Sequence, residues 1–320
     1  MSPSVQPKVS VIMPVKDGAL FLSAAIESIL SQSYTNIEFI ILNDGSMDET
    51  EAIVRSYSDP RIVYRAHQMS LGLATSLNEG ITLATGDYIA RMDADDVAFK
   101  TRLEKQVAFL EAHADISLVG AWARFIDEKG EERGQVYRTP VTHEEILFRA
   151  CFANPFIHPS VLLRASCLKA NLYNETYRRS QDLELWSRLL FVENVRAANL
   201  PEPLLLYRRH AASLTKKKNA EDYLRSAAIP LKNMKNVLPL TQEQEELFLK
   251  AYLGEFLTIV QLIQRIRLSF LFRNAFVLKY PSTKDTFRRA PWRDVRFFLK
   301  YFVKQLIRSI AKAPAAPIGG

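Results

Sequence analysis

The first hundred residues alternate short apolar runs with segments of helical periodicity, and this alternation limits the possible folds more than any other feature. Short runs with few polar residues predict buried strands, and apolar side chains at helical spacing predict the helices between them. Strands that alternate with helices form a mostly parallel sheet with right-handed crossovers. The sequence therefore predicts an α/β fold with flanking helices. The predicted strands are 9–14, 38–42, 62–64 and 87–92, and the predicted helices are 19–32, 48–58 and 72–83.

Two residue pairs have the spacing of capping boxes that open helices. They are Asp48 with Glu51 and Thr142 with Glu145. The stretch from 116 to 215 mixes strands and helices, so we expect it to extend the first sheet and cover the ligand site. Its predicted strands are 117–127, 135–138, 160–163 and 204–208, and its predicted helices are 143–150 and 181–192.

Carboxylates gather where the predicted strands end. Ligands of such sheets bind beyond the carboxyl ends of the strands, and here the first, second and fourth strands run into 14–17, 43–46 and 93–96. Asp93 and Asp95 are two residues apart and point the same way from a strand end. They could share one divalent cation, since hard cations prefer oxygen ligands. A solvated acidic turn or a helix cap is the alternative.

Asp44 follows the second predicted strand in a polar turn. One interpretation is an ordinary Asx turn, with Gly45 supplying an unusual backbone conformation. The other is that Asp44 accepts a hydrogen bond from an N–H of a nucleobase. The turn alone does not decide between them.

Taken together, four segments resemble the family 2 glycosyltransferases of the GT-A fold, of the kind that build bacterial polysaccharides. The resemblance covers about residues 8–215. It implies an inverting, metal-dependent enzyme that moves a sugar, with a hexosyl group expected, from a UDP-, GDP- or dTDP-sugar to a glycan hydroxyl. The acceptor would belong to capsule, exopolysaccharide or O-antigen synthesis and could be lipid-linked. The matching segments are 9–14, 43–48, 72–78 and 86–96.

The resemblance also implies roles for single residues around a bound Mn²⁺ or Mg²⁺. The chain departs from the family at Asp17, where asparagine is frequent, so the role of that side chain is open. The expected nucleotide contacts are Pro14, Val15, Asp17, Asp44, Arg91 and Asp93, and the expected metal ligands are Asp93, Asp95 and His210.

The catalytic base implied by the resemblance is Asp182, in the segment 181–186, with Glu184 as the weaker candidate. A base here would take the acceptor's proton while the sugar is attacked from the side opposite the diphosphate. The alternative is that Asp182 only complements the dipole of its helix. The acceptor or diphosphate side is expected to include His158, Trp186, Arg208 and Arg209.

The predicted organisation has a catalytic domain at 1–215, with a nucleotide-sugar half at about 8–115 and an acceptor half at about 116–215. A helical appendage follows at 216–312, and a disordered tail is expected at 313–320. Between 284 and 312 there are nine basic and two acidic residues, and residues 294–310 form a basic amphipathic pattern. That helix could lie on an anionic membrane surface or pack on the catalytic domain.

Composition narrows the other classes. The net charge of +7 suggests an anionic partner, but the bases of the tail come without a motif for nucleic acid, which is not expected as a partner. The two cysteines have no metal-ligand spacing, and neither a signal peptide nor a membrane span is predicted. The expected location is the cytoplasm, or the cytoplasmic face of the membrane. A nucleotidylyltransferase and a non-catalytic nucleotide-sugar-binding or membrane-recruiting module are the alternative functions.

Overall fold

A computed structural model describes residues 6–210, 220–253 and 259–283. The chain divides into two compact units, Met1–Asn219 and Ala220–Gly320. The described part of the first unit has nine strands and seven α-helices. The strands are β1 Val9–Val15, β2 Ile37–Asn43, β3 Ile62–Ala66, β4 Tyr88–Arg91, β5 Val97–Ala98, β6 Leu118–Ile126, β7 Glu132–Tyr137, β8 Leu162–Arg164 and β9 Ala197–Arg208. The helices are α1 Ala19–Leu30, α2 Thr50–Arg55, α3 Leu73–Leu83, α4 Arg102–Ala112, α5 His143–Ala150, α6 Ala165–Lys169 and α7 Gln181–Phe191.

The strands form one sheet in the order β3-β2-β1-β4-β8-β6-β9-β5, with β7 paired to β6. The strands β3, β2, β1 and β4 are all parallel, as the alternation of strands and helices predicts. Every residue of β1 and β2 is buried, which explains why these strands are nearly continuous apolar runs. Their carboxyl ends lie at one edge of the sheet.

The second half of the sheet is mixed. The strand β8 is antiparallel to β4 and β6, and β5 is antiparallel to β9, whereas β6 and β9 are parallel. The α/β fold with flanking helices is therefore confirmed. The four strands β1 to β4 are parallel throughout, whereas the rest of the sheet combines the parallel pair β6 and β9 with antiparallel pairs. The strand β9 begins at Ala197, before the predicted 204, and its pairing with β6 is shifted near Trp122 and Pro203.

One of the two predicted capping boxes forms. The Oγ1 of Thr142 accepts a hydrogen bond from the N–H of Glu145, whose carboxylate accepts one in return from the N–H of Thr142. The box predicted from Asp48 and Glu51 is wrong. Asp48 instead accepts hydrogen bonds from the N–H of Thr50 and Ala19, and so ties the starts of α1 and α2 together.

The second unit contains three described helices: α8 Ala220–Lys235, α9 Gln242–Leu253 and α10 Ile259–Lys279. Its buried side chains include Leu247 on α9 and Phe272 and Phe276 on α10. Among the residues that the structure describes, no helix is both long and apolar enough to cross a membrane. The predicted basic helix at 294–310 and the predicted tail at 313–320 lie outside the described residues.

Candidate active site

Three carboxylates meet at the end of β4. Ligand oxygens of Asp93, Asp95 and Asp96 lie within 4.8 Å of one another. Asp96 is 1% exposed, and its Oδ2 has no hydrogen-bond partner. Burial and the charges of Asp93 and Asp95 raise the pKa of Asp96 well above its usual range. A group of oxygen ligands with an unsatisfied buried member fits a divalent cation, which would supply the missing partner.

Arg91 is the cation built into this cluster. Its Nη2 pairs with Oδ1 of Asp93, and it is 4% exposed. Burial raises the pKa of Asp93, as do Asp95 and Asp182, while Arg91 opposes the shift. The Nε and Nη1 of Arg91 are buried without a partner, so the guanidinium acts on the site through Asp93. The structure therefore does not bring Arg91 to a surface where it could contact a nucleotide, as the sequence analysis expected.

The end of β9 is fastened to the same cluster. The N–H of Arg208 donates to Oδ1 of Asp96 at 2.7 Å, and the Nε of Arg208 donates to the carbonyl of Asp95 at 2.8 Å. The Nε2 of His210 lies 2.8 Å from Oδ2 of Asp95. His210 therefore lies beside an expected metal ligand. Asp96 binds Arg208, the last residue of β9, two residues before His210.

The two arginines expected on the diphosphate side do different things. Arg208 is 6% exposed, and its Nη1 donates to the carbonyls of Asp127 and Glu128. Its guanidinium therefore binds backbone carbonyls, one of which belongs to Asp95 of the acidic cluster. Arg209 is exposed and lies over the ring of Phe125, 3.5 Å from its centroid. The structure does not bring Arg209 to the cluster.

The loops that follow β1 and β2 are joined by Asp17. Its N–H donates to Oγ of Ser46, and its Oδ1 accepts from the N–H of Met47. Asp17 is exposed and has φ 48°, a left-handed conformation that asparagine and aspartate tolerate better than most residues. Pro14 and Val15 are buried in β1, and the carbonyl of Val15 accepts from the N–H of Asp44.

Asp44 has four hydrogen-bond donors. Its Oδ1 accepts from the N–H of Leu71 and faces Nδ1 of His67, and its Oδ2 accepts from Oγ of Ser70 and the N–H of Gly72. Burial would raise the pKa of Asp44, but these bonds outweigh it and lower the pKa to about 2. A carboxylate has about four lone-pair positions. A base N–H could bind Asp44 only by displacing one of these donors.

Asp182 lies in the first turn of α7 and is held by an amide. The Nδ2 of Asn154 donates to Oδ2 of Asp182 at 2.6 Å, and the Oδ1 of Asn154 accepts from the N–H of Phe156. Asp182 is half-buried, and its charge acts on Asp93. Glu184, the weaker candidate base, pairs with Arg188 one turn along the helix.

His158 and Trp186 belong to the core. Trp186 has no exposed surface, and its ring packs edge-on against Phe156 and His158. The Nε2 of His158 lies 2.7 Å from the hydroxyl of Tyr173, and burial lowers the pKa of His158 well below 6.5. The structure therefore buries both rings, and their expected place on the acceptor side stays a prediction. Aromatic residues at helical spacing are more often core than ligand contacts.

Sequence reasoning did not single out Asn154, Asp96 or His67. Each of them contacts an expected site residue: Asn154 contacts Asp182, Asp96 contacts Arg208 and His67 contacts Asp44. The position of Asp96 inside the acidic run was the one available signal. The other two contacts join segments 28 and 23 residues apart, and only the fold brings such segments together.

Comparisons with known proteins point to one family. The family described as glycosyl transferase family 2 matches residues 10–168. EpsE of Bacillus subtilis, a protein named as a glycosyltransferase, is 42% identical over 204 residues, which are 62% of this chain and 72% of the relative. The O-antigen biosynthesis glycosyltransferase WbnJ of Escherichia coli is 34% identical over 220 residues, which are 68% of this chain and 85% of WbnJ.

A solved structure shares the fold. TarS of S. aureus, crystallised with UDP-GlcNAc, superimposes with a TM-score of 0.59, covering 77% of this chain and 72% of TarS. Its identity of 17% means that this likeness shows the fold alone. The relatives extend the likeness to sequence over most of their own length, and the chain belongs to the family 2 glycosyltransferases.

Proposed function

We propose that this glycosyltransferase is inverting and metal-dependent, and that it transfers a sugar from a nucleotide diphosphate to an acceptor hydroxyl. The observation that carries the proposal is the pairing of two kinds of carboxylate at one site. Asp93, Asp95 and Asp96 form a cluster with an unsatisfied oxygen, and Asp182 is close enough for its charge to act on Asp93.

In the proposed reaction, Asp182 accepts the proton of the acceptor hydroxyl as the acceptor oxygen bonds to the anomeric carbon. The bond between that carbon and the diphosphate oxygen breaks, and the nucleoside diphosphate leaves with the electron pair. Asn154 occupies one oxygen of Asp182 and leaves the other to receive the proton. A general base of this kind contributes about 10²- to 10⁴-fold to the rate.

Asp95 and Asp93 would hold the cation, with His210 and Asp96 beside them. A bound Mn²⁺ or Mg²⁺ would supply positive charge that offsets the charge of the departing diphosphate. Arg91 holds Asp93 from the buried side, and Arg208 holds the backbone of Asp95. Both arginines keep the carboxylates in one place before any ligand binds, which reduces the reorganisation that binding requires.

Calorimetric titration of UDP, GDP, dTDP and CDP, with and without Mn²⁺, tests the donor site. We expect one nucleotide class to bind the wild type in a metal-dependent way and to bind Asp95→Ala at least about tenfold more weakly. Glu51→Ala, which removes an exposed acid on α2, is the matched control. A folded protein that binds none of them would reject the donor site. Nucleotide binding without sugar transfer would favour the non-catalytic module.

For the acceptor we propose a glycan of the cell-surface polysaccharide type, presented at an anionic membrane. One face of α10 supports the membrane part. Phe270, Leu271 and Leu278 are 50%, 53% and 81% exposed there, and Arg267 is exposed on the same face. The helix has no acidic residue. Apolar side chains flanked by bases are typical of helices that lie in a membrane interface.

Flotation of the full-length protein with vesicles that contain an anionic phospholipid tests this surface. We expect the double variant Leu271→Glu with Leu278→Glu to float much less than the wild type. Leu172→Glu with Val192→Glu, at two exposed positions of the catalytic unit, controls for the two added charges. Equal flotation of the double variant and the wild type would remove α10 from the proposal without affecting the donor site.

A further inference from the structure

His67 lies between two carboxylates just beyond β3. Its Nδ1 is 3.1 Å from Oδ1 of Asp44, and its Nε2 is 2.5 Å from Oε2 of Glu79. The side chain is 10% exposed. Asp44 follows β2 and Glu79 stands on α3, so one ring joins the loop after β2 to the helix after β3. The donor site described above gives this residue no role.

The two contacts require a doubly protonated ring. Both nitrogens of histidine donate only in the imidazolium form, and a neutral ring would turn a lone pair toward one carboxylate. Burial alone would lower the pKa of His67, but the hydrogen bonds to Glu79 and Asp44 outweigh it and raise the pKa above 6.5. Within the described residues, Glu79 and Asp44 are the charged groups that act on this ring.

The carboxylate that His67 holds also organises the loop 67–72. Asp44 accepts hydrogen bonds from Ser70, Leu71 and Gly72. The loop lies directly on the turn after β2, because a Cβ added to Gly45 would come within 2.7 Å of the backbone of Met69 and Ser70. The shape of the loop therefore depends on Asp44, and the placement of Asp44 relative to α3 depends on His67.

We propose that His67 is a positioning residue for the donor nucleotide, an imidazolium bridge between Asp44 and Glu79 that fixes the loop 67–72 at the nucleobase end of the site. This inference rests on the proposed function and on the expectation from the sequence that residues at the ends of β1 and β2 contact the nucleotide. His67 acts through Asp44 and the loop. Its effect is on nucleotide affinity, and the chemical step at Asp182 does not depend on it.

Loss of one proton from His67 should break the bridge on the side of Glu79. Asp44 keeps three other donors, whereas the carboxylate of Glu79 is 36% exposed and can turn to water. Nucleotide affinity is thus complete below the pKa of His67 and falls as the pH rises through it. Because Glu79 is the strongest of the contacts that raise this pKa, removing its charge should move the fall to lower pH.

Calorimetry from about pH 6 to about pH 8.5 tests the inference. The probe is whichever of UDP, GDP, dTDP and CDP binds the wild type with Mn²⁺. We expect His67→Gln to bind about tenfold more weakly at the acidic end, as the loss of a charge-assisted bond predicts, and to lack the pH-dependent fall specific to the wild type. Glu79→Gln should show the fall at lower pH, and Glu51→Gln should match the wild type.

NMR of the five histidines gives the titration of His67 independently, since its signal is absent from His67→Gln. An affinity that stays constant across that titration, or a folded His67→Gln that binds like the wild type at every pH, would overturn the positioning role and leave the donor site standing. If the folded wild type binds no nucleotide, the donor site itself fails, and the inference fails with it.

Discussion

Two acidic groups, Asp44 with its donors and the cluster of Asp93, Asp95 and Asp96, lie at the same edge of the sheet. They differ in how many hydrogen-bond donors the protein supplies to their carboxylates. Asp44 has four donors, and its pKa is lowered to about 2. In the cluster that follows β4, Asp96 has an oxygen without a partner, and burial and neighbouring acids raise the pKa of both Asp93 and Asp96. We call the Asp44 group complete, because its carboxylate has a donor for each acceptor position, and the cluster after β4 incomplete, because one of its oxygens has none.

The difference separates a structural role from a ligand-binding one. A buried carboxylate with every acceptor position filled stabilises the fold and gains little from a ligand. Buried acids that repel each other lower the stability of the fold. Such groups are found at sites where a bound cation or substrate offsets the repulsion. The four predictions below, ordered from the largest expected effect to the smallest, test whether the two groups divide in this way.

Asp182→Asn should have the largest effect on sugar transfer, because Asp182 is the proposed base and lies near the incomplete cluster after β4. We expect sugar transfer to fall by about 10²- to 10⁴-fold, with nucleotide affinity within about twofold of the wild type. Single-turnover transfer and calorimetry measure the two quantities. Glu184→Gln, whose parent carboxylate pairs with Arg188, is the control and should retain most of the activity. Full activity in Asp182→Asn would move the base elsewhere.

Asp44→Ala should lower stability rather than the rate of chemistry. The substitution leaves four donors of the 67–72 loop without their shared acceptor, and we expect a loss of about 3 kcal/mol in the free energy of unfolding. Chemical denaturation measures it. Asp17→Asn, which removes one exposed charge and keeps a residue that tolerates the left-handed conformation at φ 48°, should cost less than about 1 kcal/mol. An Asp44→Ala protein as stable as the wild type would mean that the donors do not need this carboxylate.

Sequence reasoning located both groups but could not tell them apart. In each case an acid follows a buried apolar strand, and that pattern predicts the edge of the sheet. The number of donors around each acid depends on other segments: Ser70 to Gly72 for Asp44, and the end of β9 for Asp96. These partners lie 26 to 28 and 112 residues away. No local pattern encodes such pairings.

The same limit explains why three residues that were expected to contact ligands are buried in the structure. Arg91, His158 and Trp186 occupy the segments that resemble the family, but proximity in sequence to a site residue does not decide which way a side chain points. Arg91 alternates with its neighbours along β4 and turns inward, and Trp186 lies on the buried face of α7. The parallel strands were predictable because β1 and β2 are buried on both faces and leave a continuous apolar signature.

Low pH should reduce the contribution of Asp44 to the free energy of unfolding. The pKa of Asp44 is lowered from 3.8 to about 2 in the folded protein, so its contribution is fully present above pH 3.8 and is lost as the pH falls through about 2. The shift corresponds to roughly 2 kcal/mol. Denaturation midpoints between about pH 5.5 and pH 2.5 would measure the fall, and Asp44→Asn should flatten it. An equally steep fall in Asp44→Asn would assign the acid sensitivity to other carboxylates.

Asp96→Asn should have the smallest effect and the opposite sign. The asparagine keeps an Oδ1 that can accept from the N–H of Arg208, and it removes a carboxyl group whose ionisation is opposed by burial and by Asp93 and Asp95. We expect the metal-free variant to be more stable than the wild type by about 1 kcal/mol, and to gain less melting temperature from added Mn²⁺. Asp95→Asn is the matched comparison, since Asp95 is the more exposed acid and its neutralisation should relieve less repulsion.

If Asp96→Asn instead destabilises the protein, the buried charge is required by Arg91 and Arg102, whose charges act on Asp96 or respond to it. In that case the cluster after β4 would be as complete as the one around Asp44.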